Sequence, residues 1–516
     1  METGRKNLIA GHIAIAWMAA GAIARLFLAA VTPLGNDEVY YWDWGRDPKL
    51  SYFDHPPGVS WLSAAAQQIF GEATGGLQAR GLVPFLHFFS SLLLFKIYLQ
   101  LSVGRRTRTS DLAFLAMTQL IPAFGIGGFL LLPDAGLLLF STAGLFIALE
   151  LANRPGAPET SGTPGPLNGL GIGLVAGLAG LFKYHAAPIF GGILFALASA
   201  KNWRLIHAKL FWVVTFLTGI TVTLPVWIWN YQHEMSSFAF QASRGISGAH
   251  LDLPRALRTL AGELILLTPG FFGLLLVTLG NLWRYRSRAC ERVILWGCLP
   301  LLALIHLTMT YKEVLPHWGL PAFWLLIPEA AILAGQNWTQ KKIRVHLAIA
   351  GIITGCIITF TAVPIFRNAL VARTNGYPGA LGELTFWPDF FRSPETIELP
   401  GKVATNLKLN DSARLIAPGC PPKIIFASFR WFTVAHMAWS IPDHPMVRSF
   451  EVGRKYYYYD RDVNASGSGC PVIALGEKAH ANQDEVQRLM DVQMRGEIVD
   501  ARYLDRPVSW FAGFLK

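Results

Sequence analysis

This sequence predicts an α-helical polytopic membrane protein with a small α/β domain towards its C-terminal end. Three observations predict that class. Apolar runs long enough to cross a bilayer recur between residues 8 and 366. The stretches between them alternate between short basic clusters and stretches rich in acids, histidines and tryptophans. After about Arg367 the apolar runs cease and mixed, strand-like sequence begins.

The composition agrees. Of 516 residues, 52% are hydrophobic and 15% charged, against about 25% charged in a soluble domain. The net charge of +11 sits mainly in the basic loops, where it reports orientation in a membrane, so no nucleic-acid partner is expected. The five cysteines, Cys290, Cys298, Cys356, Cys420 and Cys470, show neither zinc-finger nor CxxC spacing.

Residues 8–32 follow Arg5 and Lys6 as a signal peptide would. The run is too long for such a peptide and Arg25 interrupts it, so it reads as a retained first transmembrane helix. Further apolar runs lie at 82–103, 112–132, 134–152, 169–185, 187–200, 210–229, 257–283, 292–310, 316–335 and 344–366. On a criterion of about 20 residues per span this gives about eleven helices. One set of connections holds Arg105, Arg106 and Arg108; Arg154; Lys201, Arg204 and Lys209; Arg284, Arg286 and Arg288; and Lys341, Lys342 and Arg344. These basic loops mark the cytoplasmic side. The other set, at 36–57, 133–134, 183–185, 229–248 and 311–318, opens outward, beyond the reach of cytosolic nucleotide-sugars and ATP. Residues 1–366 are therefore expected to form the transmembrane catalytic part, with a long first outer loop at 33–81. Within that loop Gly58–Phe70 is apolar, partly amphipathic and short for a span, which places it along the membrane interface. A Pro/Gly/Ser/Thr-rich linker occupies 153–168. Residues 367–516 are expected to be a soluble external domain, with strands at Ile424–Phe429 and Pro471–Leu475 and a helix at Gln483–Arg495. Cys420 and Cys470 both fall there, and an oxidising compartment would favour a disulfide between them.

The chemistry-bearing stretch begins at Asn36: NDEVYYWDWGRDPKLSYFDHPP. Asp37, Glu38, Asp43, Asp47 and Asp54 lie among Tyr40, Tyr41, Trp42, Trp44, Tyr52 and Phe53. Acids can take protons or hold a cation, and aromatics can stack on a sugar face. An interfacial aromatic belt with a few solvated acids explains the same composition equally well. Charges inside apolar runs are costly and mark function by default. Lys183 stands in GLAGLFKYHAAPIFGG beside Tyr184 and His185, and Asp134 stands in LLLPDAGLLLF. The competing readings are snorkelling for Lys183 and simple N-capping for Asp134. WNYQHEMSSFAFQASRG supplies His233, Gln241 and Arg244, and YKEVLPHW supplies Lys312, Glu313 and His317. Cations converging from separate loops suit a phosphate. Walker A, GxGxxG, GxSxG and HExxH patterns are absent from the sequence.

DEVYYWDWGRDPKLSYFDHPPGVSWL resembles the first-loop signature of bacterial family-39 glycosyltransferases of the GT-C superfamily. These are relatives of protein O-mannosyltransferases, of aminoarabinose transferases acting on lipid A and of lipopolysaccharide galacturonosyltransferases. LLPDAGLLLF, GLAGLFKYHAAPIF, PVWIWNYQHEMSSFAFQASRG and KEVLPHWGLPAFW follow in the family's order, covering most of residues 30–330. The resemblance implies a GT-C fold in a bacterial inner membrane with a periplasmic active site. It implies transfer of one hexosyl or pentosyl unit, with inversion, from a polyprenyl-phosphate donor to a lipid or glycan acceptor such as lipid A. It implies that Asp37 is the catalytic base or an acceptor-positioning group, with Glu38 beside it and Asp134 as a second acid. A lysine matching Lys183 would contact the carrier phosphate; Tyr184, His185, Gln241, Arg244, Lys312 and His317 are the further substrate- or phosphate-binding candidates read from the loops themselves. In the aminoarabinose relatives the acid matching Asp54 is followed by lysine and belongs to a metal-contacting pair. Here His55 replaces that lysine, which puts a divalent metal at Asp54 and His55 in question, and no complete ligand set is legible. The competing functions are a flippase or transporter of lipid-linked sugar, which would favour repeated halves, and an O-antigen ligase-like oligosaccharide transferase using the same carrier class.

Overall fold

The computed structural model describes residues 9, 11–71, 74–152, 165–199, 208–246, 250–373, 386–387, 389–391, 393–407, 424–441, 444–445, 447–450, 469–477, 483–498 and 507–516. The chain divides into two compact units. One comprises Met1–Ala30 and Lys49–Ile358, the other Val31–Pro48 and Thr359–Lys516.

The first unit is helical among its described residues. Gly11–Val31, Val83–Leu101, Asp134–Ala152, Lys209–Gln232, Ala289–Thr308 and Gln340–Ala362 are long and apolar enough to cross a membrane. Leu253–Leu267 and Pro269–Arg284, bent by 103°, would make a seventh span if taken together. Each of the eleven apolar runs coincides with helix, but several helices are shorter than the runs. The 112–132 run breaks into Arg108–Gln119 and Pro122–Gly125, because a proline supplies no N–H to continue the ladder. Pro166–Phe182 and Ala186–Ala198 are short, and the 316–335 run becomes helical only at Leu320. The 153–164 part of the linker lies outside the described residues.

Two features hold this unit together around its polar centre. Pro166–Phe182 lies close against Lys209–Gln232 through glycines four residues apart. A Cβ on Gly169 would stand 2.4 Å from the Phe211 carbonyl oxygen, one on Gly173 2.4 Å from that of Thr215, and one on Gly177 2.6 Å from Val222 Cβ. Small residues at this spacing let two backbones approach where lipid supplies no hydrophobic drive. The second feature is Arg25, buried rather than lipid-facing. Its guanidinium donates to the carbonyls of Gly125 at 3.1 Å, Gln119 at 3.2 Å and Phe124 at 3.3 Å, and to Gln119 Oε1 at 2.8 Å. It thereby satisfies the Gln119 and Gly125 carbonyls where the 112–132 run breaks, and adds a second bond to that of Phe124, which also accepts the Gly128 N–H.

The second unit contains a five-stranded mixed sheet. Its strands are β1 (Ile425–Ser428), β2 (Val447–Ser449), β3 (Pro471–Glu477), β4 (Met490–Ile498) and β5 (Val508–Leu515), in the order β2-β1-β3-β5-β4. β1 runs parallel to β2 and β3, and β5 runs antiparallel to β3 and β4. β3 reads as a continuous apolar run because it is buried along nearly its whole length. The expected helix at Gln483–Arg495 stops at Leu489. From Met490 the side chains alternate between more and less exposed faces, the period of a strand.

This unit also contains a segment from the first outer loop. Asn36–Gly45 is a helix. Glu38 reaches back from its first turn to accept the Gly35 N–H at 3.0 Å, and Asp37 and Glu38 both favour the positive N-terminal end. Tyr40, Tyr41, Trp42 and Trp44 are at most 4% exposed. Tyr40 meets Trp431 at 4.6 Å and Trp42 meets Trp439 at 4.8 Å. The expectation that these four rings form a sugar-stacking or headgroup surface is therefore corrected: they are packing residues.

Candidate active site

Lys183 is the centre of the polar cluster in the first unit. The Pro166–Phe182 helix ends just before it, Ala186–Ala198 begins three residues later, and Lys183 itself is extended, at φ −155° and ψ 139°. Its side chain is 5% exposed. Nζ donates to Asp134 Oδ1 at 2.9 Å and Oδ2 at 2.7 Å. Lys183 therefore does not snorkel to water. Asp134 is the first residue of the Asp134–Ala152 helix, so it contributes to the helix start and also neutralises a buried cation.

Phe182, the residue before Lys183, fills the space left by two glycines. A Cβ on Gly136 would lie 2.4 Å from its ring, and one on Gly58 would lie 2.7 Å from the Leu181 carbonyl oxygen and 2.8 Å from the Phe182 ring. Gly58 opens the Gly58–Phe70 helix, whose bounds agree with the interfacial segment expected from the sequence. The turn before it carries Asp54 and His55, and Tyr52 N–H donates to the His55 carbonyl at 3.1 Å. Tyr52 Oη is 2.6 Å from Ser60 Oγ.

His185 and His317 face this centre. Burial and then the Lys183 charge push the His185 imidazole well below its usual range, with Asp134 opposing and His55 and His317 also felt. Burial and Lys183 push His317 to about 4, against Asp134. Both rings are neutral near pH 7. His185 Nδ1 is buried without a hydrogen-bond partner among the described residues, and its ring lies 6.0 Å from that of Trp318. Tyr184 Oη is 2.8 Å from Ser237 Oγ, with Asn230 also alongside. Burial raises the Tyr184 hydroxyl against these hydrogen bonds, and Asp54 adds to the rise. Gln241 Nε2 donates to the Asp54 carbonyl at 2.8 Å. The helix carrying Ser237 and Gln241, Ser236–Ile246, is turned back by Glu234 and Met235 at φ 53° and 57°. Two successive non-glycine residues in the left-handed region are uncommon and mark a turn fixed by its surroundings.

The structure thus gathers Asp54, His55, Asp134, Lys183, Tyr184, His185, Gln241 and His317 into one cluster. Lys312 is half-buried just beyond the Ala289–Thr308 helix, and its N–H donates to Thr308. Arg244 lies in the Ser236–Ile246 helix, with its side chain outside the described residues. Asp37 and Glu38 belong to the other unit: Glu38 and Asp43 are buried and Asp37 is half-buried. Among the described residues no group of three or more His, Cys, Asp or Glu side chains is placed to hold a metal ion. Asp54 and His55 thus have no third such side chain beside them among the described residues, and no step is routed through a metal.

Several residues escaped the sequence reading. Ser237 and Asn230 are ordinary polar residues until the fold sets them against Tyr184. Glu263 is fully buried, and His306 Nε2 meets its Oε2 at 3.0 Å. Near it, Thr259 donates to the Val314 carbonyl at 3.0 Å and Asp252 N–H to that of Thr310 at 2.8 Å. These bonds hold the connection that carries His317. The signal was present, since Glu263 is a lone acid within LAGELILL.

Comparison with known proteins bears on what this cluster does. Residues 54–229 match the family described as dolichyl-phosphate-mannose-protein mannosyltransferase. The chain is 25% identical over 337 residues to lipid A galacturonosyltransferase RgtD of Rhizobium johnstonii, covering 65% of this chain and 67% of that one. Together these matches support a membrane glycosyltransferase with the fold of the GT-C enzymes. The transferase also shares its fold with ArnT from Cupriavidus metallidurans. Against the apo form the TM-score is 0.58 at 15% identity, covering 96% of this chain and 97% of that one. Against ArnT bound to undecaprenyl phosphate it is 0.59 at 14% identity, covering 98% of each. The family match begins at Asp54 and spans Asp134 and Lys183, so the buried ion pair of this GT-C transferase lies inside the matched segment.

Proposed function

We propose that this transferase moves one sugar from a polyprenyl-phosphate donor to a lipid A-type glycolipid on the periplasmic face of a bacterial inner membrane. The observation that carries the reading is the buried Lys183–Asp134 pair at a break between two helices. A buried lysine with a single carboxylate partner among the described residues is a cation held ready for a second anion. The carrier phosphate of the donor is that anion, and undecaprenyl phosphate is what the ArnT relative binds. The acceptor class follows the printed activity of the RgtD relative.

In the reaction an acceptor hydroxyl attacks the anomeric carbon. The bond from that carbon to the phosphate oxygen breaks, and the oxygen leaves with the electron pair. Charge grows on the phosphate at the transition state, and Lys183 stabilises it electrostatically in a site shielded from water. Lys312 and Arg244 are the further cations assigned to the phosphate from the sequence pattern. His185 and His317, neutral and close to Lys183, add polar contacts without adding charge. Tyr184 and Gln241 fix the 51–55 turn and with it Asp54 and His55. Asp37 accepts the hydroxyl proton, an assignment that rests on its match to the family's first-loop acid. Residues 1–366 carry the catalysis and 367–516 form the external domain.

The test compares lipid A from a deletion strain with that of its parent by mass spectrometry, with complementation. The expected result is loss of one sugar mass, restored by the parental gene and not by a Lys183→Met variant. In the purified enzyme Asp37→Asn should lower transfer by about 10²-fold or more, the low end for loss of a general base. Unchanged lipid A would reject that acceptor, and unchanged core glycans and glycoproteins as well would reject the transferase reading.

A further inference from the structure

Asp37 is presented by a helix, Asn36–Gly45, that folds with the C-terminal unit and not with the helical unit. Three kinds of contact fix this helix within its unit. At its first residue, Asn36 Oδ1 accepts from His436 Nε2 at 2.8 Å. Along its length Tyr40 and Trp42 pack on Trp431 and Trp439 of the Trp431–Ser440 helix. Just past its end, Arg46 donates to the His444 carbonyl at 2.6 Å and to that of Pro445 at 3.4 Å. The same guanidinium pairs with Asp43 at 3.0 Å and lies 5.3 Å from the centre of the Trp42 ring. His444 holds a left-handed backbone, φ 43°, within this contact.

The chemistry of His436 is specific. It is fully buried, and burial pushes its imidazole down to about 3. A neutral imidazole has one N–H, and an amide oxygen can only accept, so the proton sits on Nε2 and points at Asn36. Nδ1 is buried with no hydrogen-bond partner among the described residues. A buried polar atom left unmatched costs stability, where an apolar side chain would have cost none. Packing alone does not account for a histidine here.

We propose that His436 is a positioning residue of the transferase: through Asn36 it fixes the start of the helix that carries Asp37, within the same unit. The inference rests on the reading of Asp37 as the base. A helix pinned at its first residue, along one face and just past its last residue can neither slide nor rotate. Each residue of slip along a helix turns a side chain by about 100°. Asp37 directly follows the pinned residue, so its carboxylate responds first when the pin is lost.

The test uses the full-length enzyme in detergent, with a synthetic polyprenyl-phosphate-sugar donor. The variants are His436→Leu, His436→Gln and Asn36→Ala, each in the parental and the Asp37→Asn background. His436→Leu and Asn36→Ala should lower turnover on the order of 10-fold or more, as misplacement of a reacting group does, with donor KM unchanged. His436→Gln, whose amide can still donate to Asn36, should recover most of the rate. In the Asp37→Asn background His436→Leu should cost nothing further, because its effect passes through that carboxylate. Parental turnover in both His436→Leu and Asn36→Ala would overturn the proposal. So would an equal fold-loss in the two backgrounds, which marks general destabilisation. If His436→Leu does not fold, Asn36→Ala, at a half-buried position, decides the matter alone. Parental turnover in Asp37→Asn by itself removes the base, and the positioning role with it, and is read separately from the His436 arms.

Discussion

At the level of single residues, the Lys183–Asp134 pair ties function to stability. A buried carboxylate that loses the cation paired with it is left uncompensated, at a cost of about 3–5 kcal/mol. Lys183→Met should therefore lower the melting temperature as well as donor affinity. Lys183→Met combined with Asp134→Asn removes the stranded charge. It should regain most of the stability and none of the donor affinity, measured by thermal unfolding and by titration with a polyprenyl phosphate. Donor affinity that returned with stability would show that Lys183 serves the fold alone. His317 gives a pH prediction. Its imidazole ordinarily titrates near 6.5 and in the folded chain near 4. Between those values the unfolded chain binds a proton that the native chain refuses, so stability falls as pH drops from 6.5 towards 4. His317→Gln should flatten that fall in melting temperature, and an unchanged slope would place His317 in water. The sequence exposed Lys183 and Asp134 because each is a charge in an apolar run. It could not expose their pairing, which joins residues 49 apart in the chain, nor the Ser237 and Asn230 partners of Tyr184.

At the level of elements, the site depends on how closely three helices meet at Phe182. Gly58→Ala would drive a methyl against the Leu181 carbonyl, a backbone group that cannot rotate aside, and Gly136→Ala would drive one into the Phe182 ring. Overpacking of this kind costs about 1–3 kcal/mol. Each substitution should lower the melting temperature and also turnover, since Phe182 directly precedes Lys183. Gly191→Ala is the control: nothing lies within 4 Å of its added methyl, and it should cost neither. Unaltered turnover in both Gly58→Ala and Gly136→Ala would mean that this joint does not aim Lys183. The Gly58–Phe70 helix was legible because its apolar pattern is local. The Asn36–Gly45 helix was not. Its aromatics and acids match an interfacial belt in composition, and their burial depends on Trp431 and Trp439, almost 400 residues further along the chain. The strand at Met490–Ile498 was misread for a related reason, since a short helix runs directly into it.

At the level of the whole molecule, the cysteines and the basic turns give a test of the proposed orientation. Cys290, Cys298 and Cys356 are free. Cys470, buried immediately before β3, is disulfide-bonded. Cys420, the partner expected from the sequence, lies outside the described residues. Disulfides persist in oxidising compartments and are rare in the cytosol. The basic residues Arg105, Arg106, Arg108, Arg284, Arg286, Arg288, Lys341, Lys342 and Arg344 should remain on the cytoplasmic side. Single cysteines introduced at Arg106 and Lys342 of a variant lacking the three free thiols should thus resist a membrane-impermeant maleimide in intact spheroplasts. A cysteine at the exposed Lys516, which follows β5, should react. Non-reducing peptide mapping should find Cys470 joined to Cys420, and reduction should lower the melting temperature of the sheet unit by the equivalent of about 2–4 kcal/mol. A Lys516 position that reacts only after the membrane is opened would put the sheet on the cytosolic side. The disulfide and the charge rule would then conflict, and the proposed periplasmic placement of the active site would fall with them.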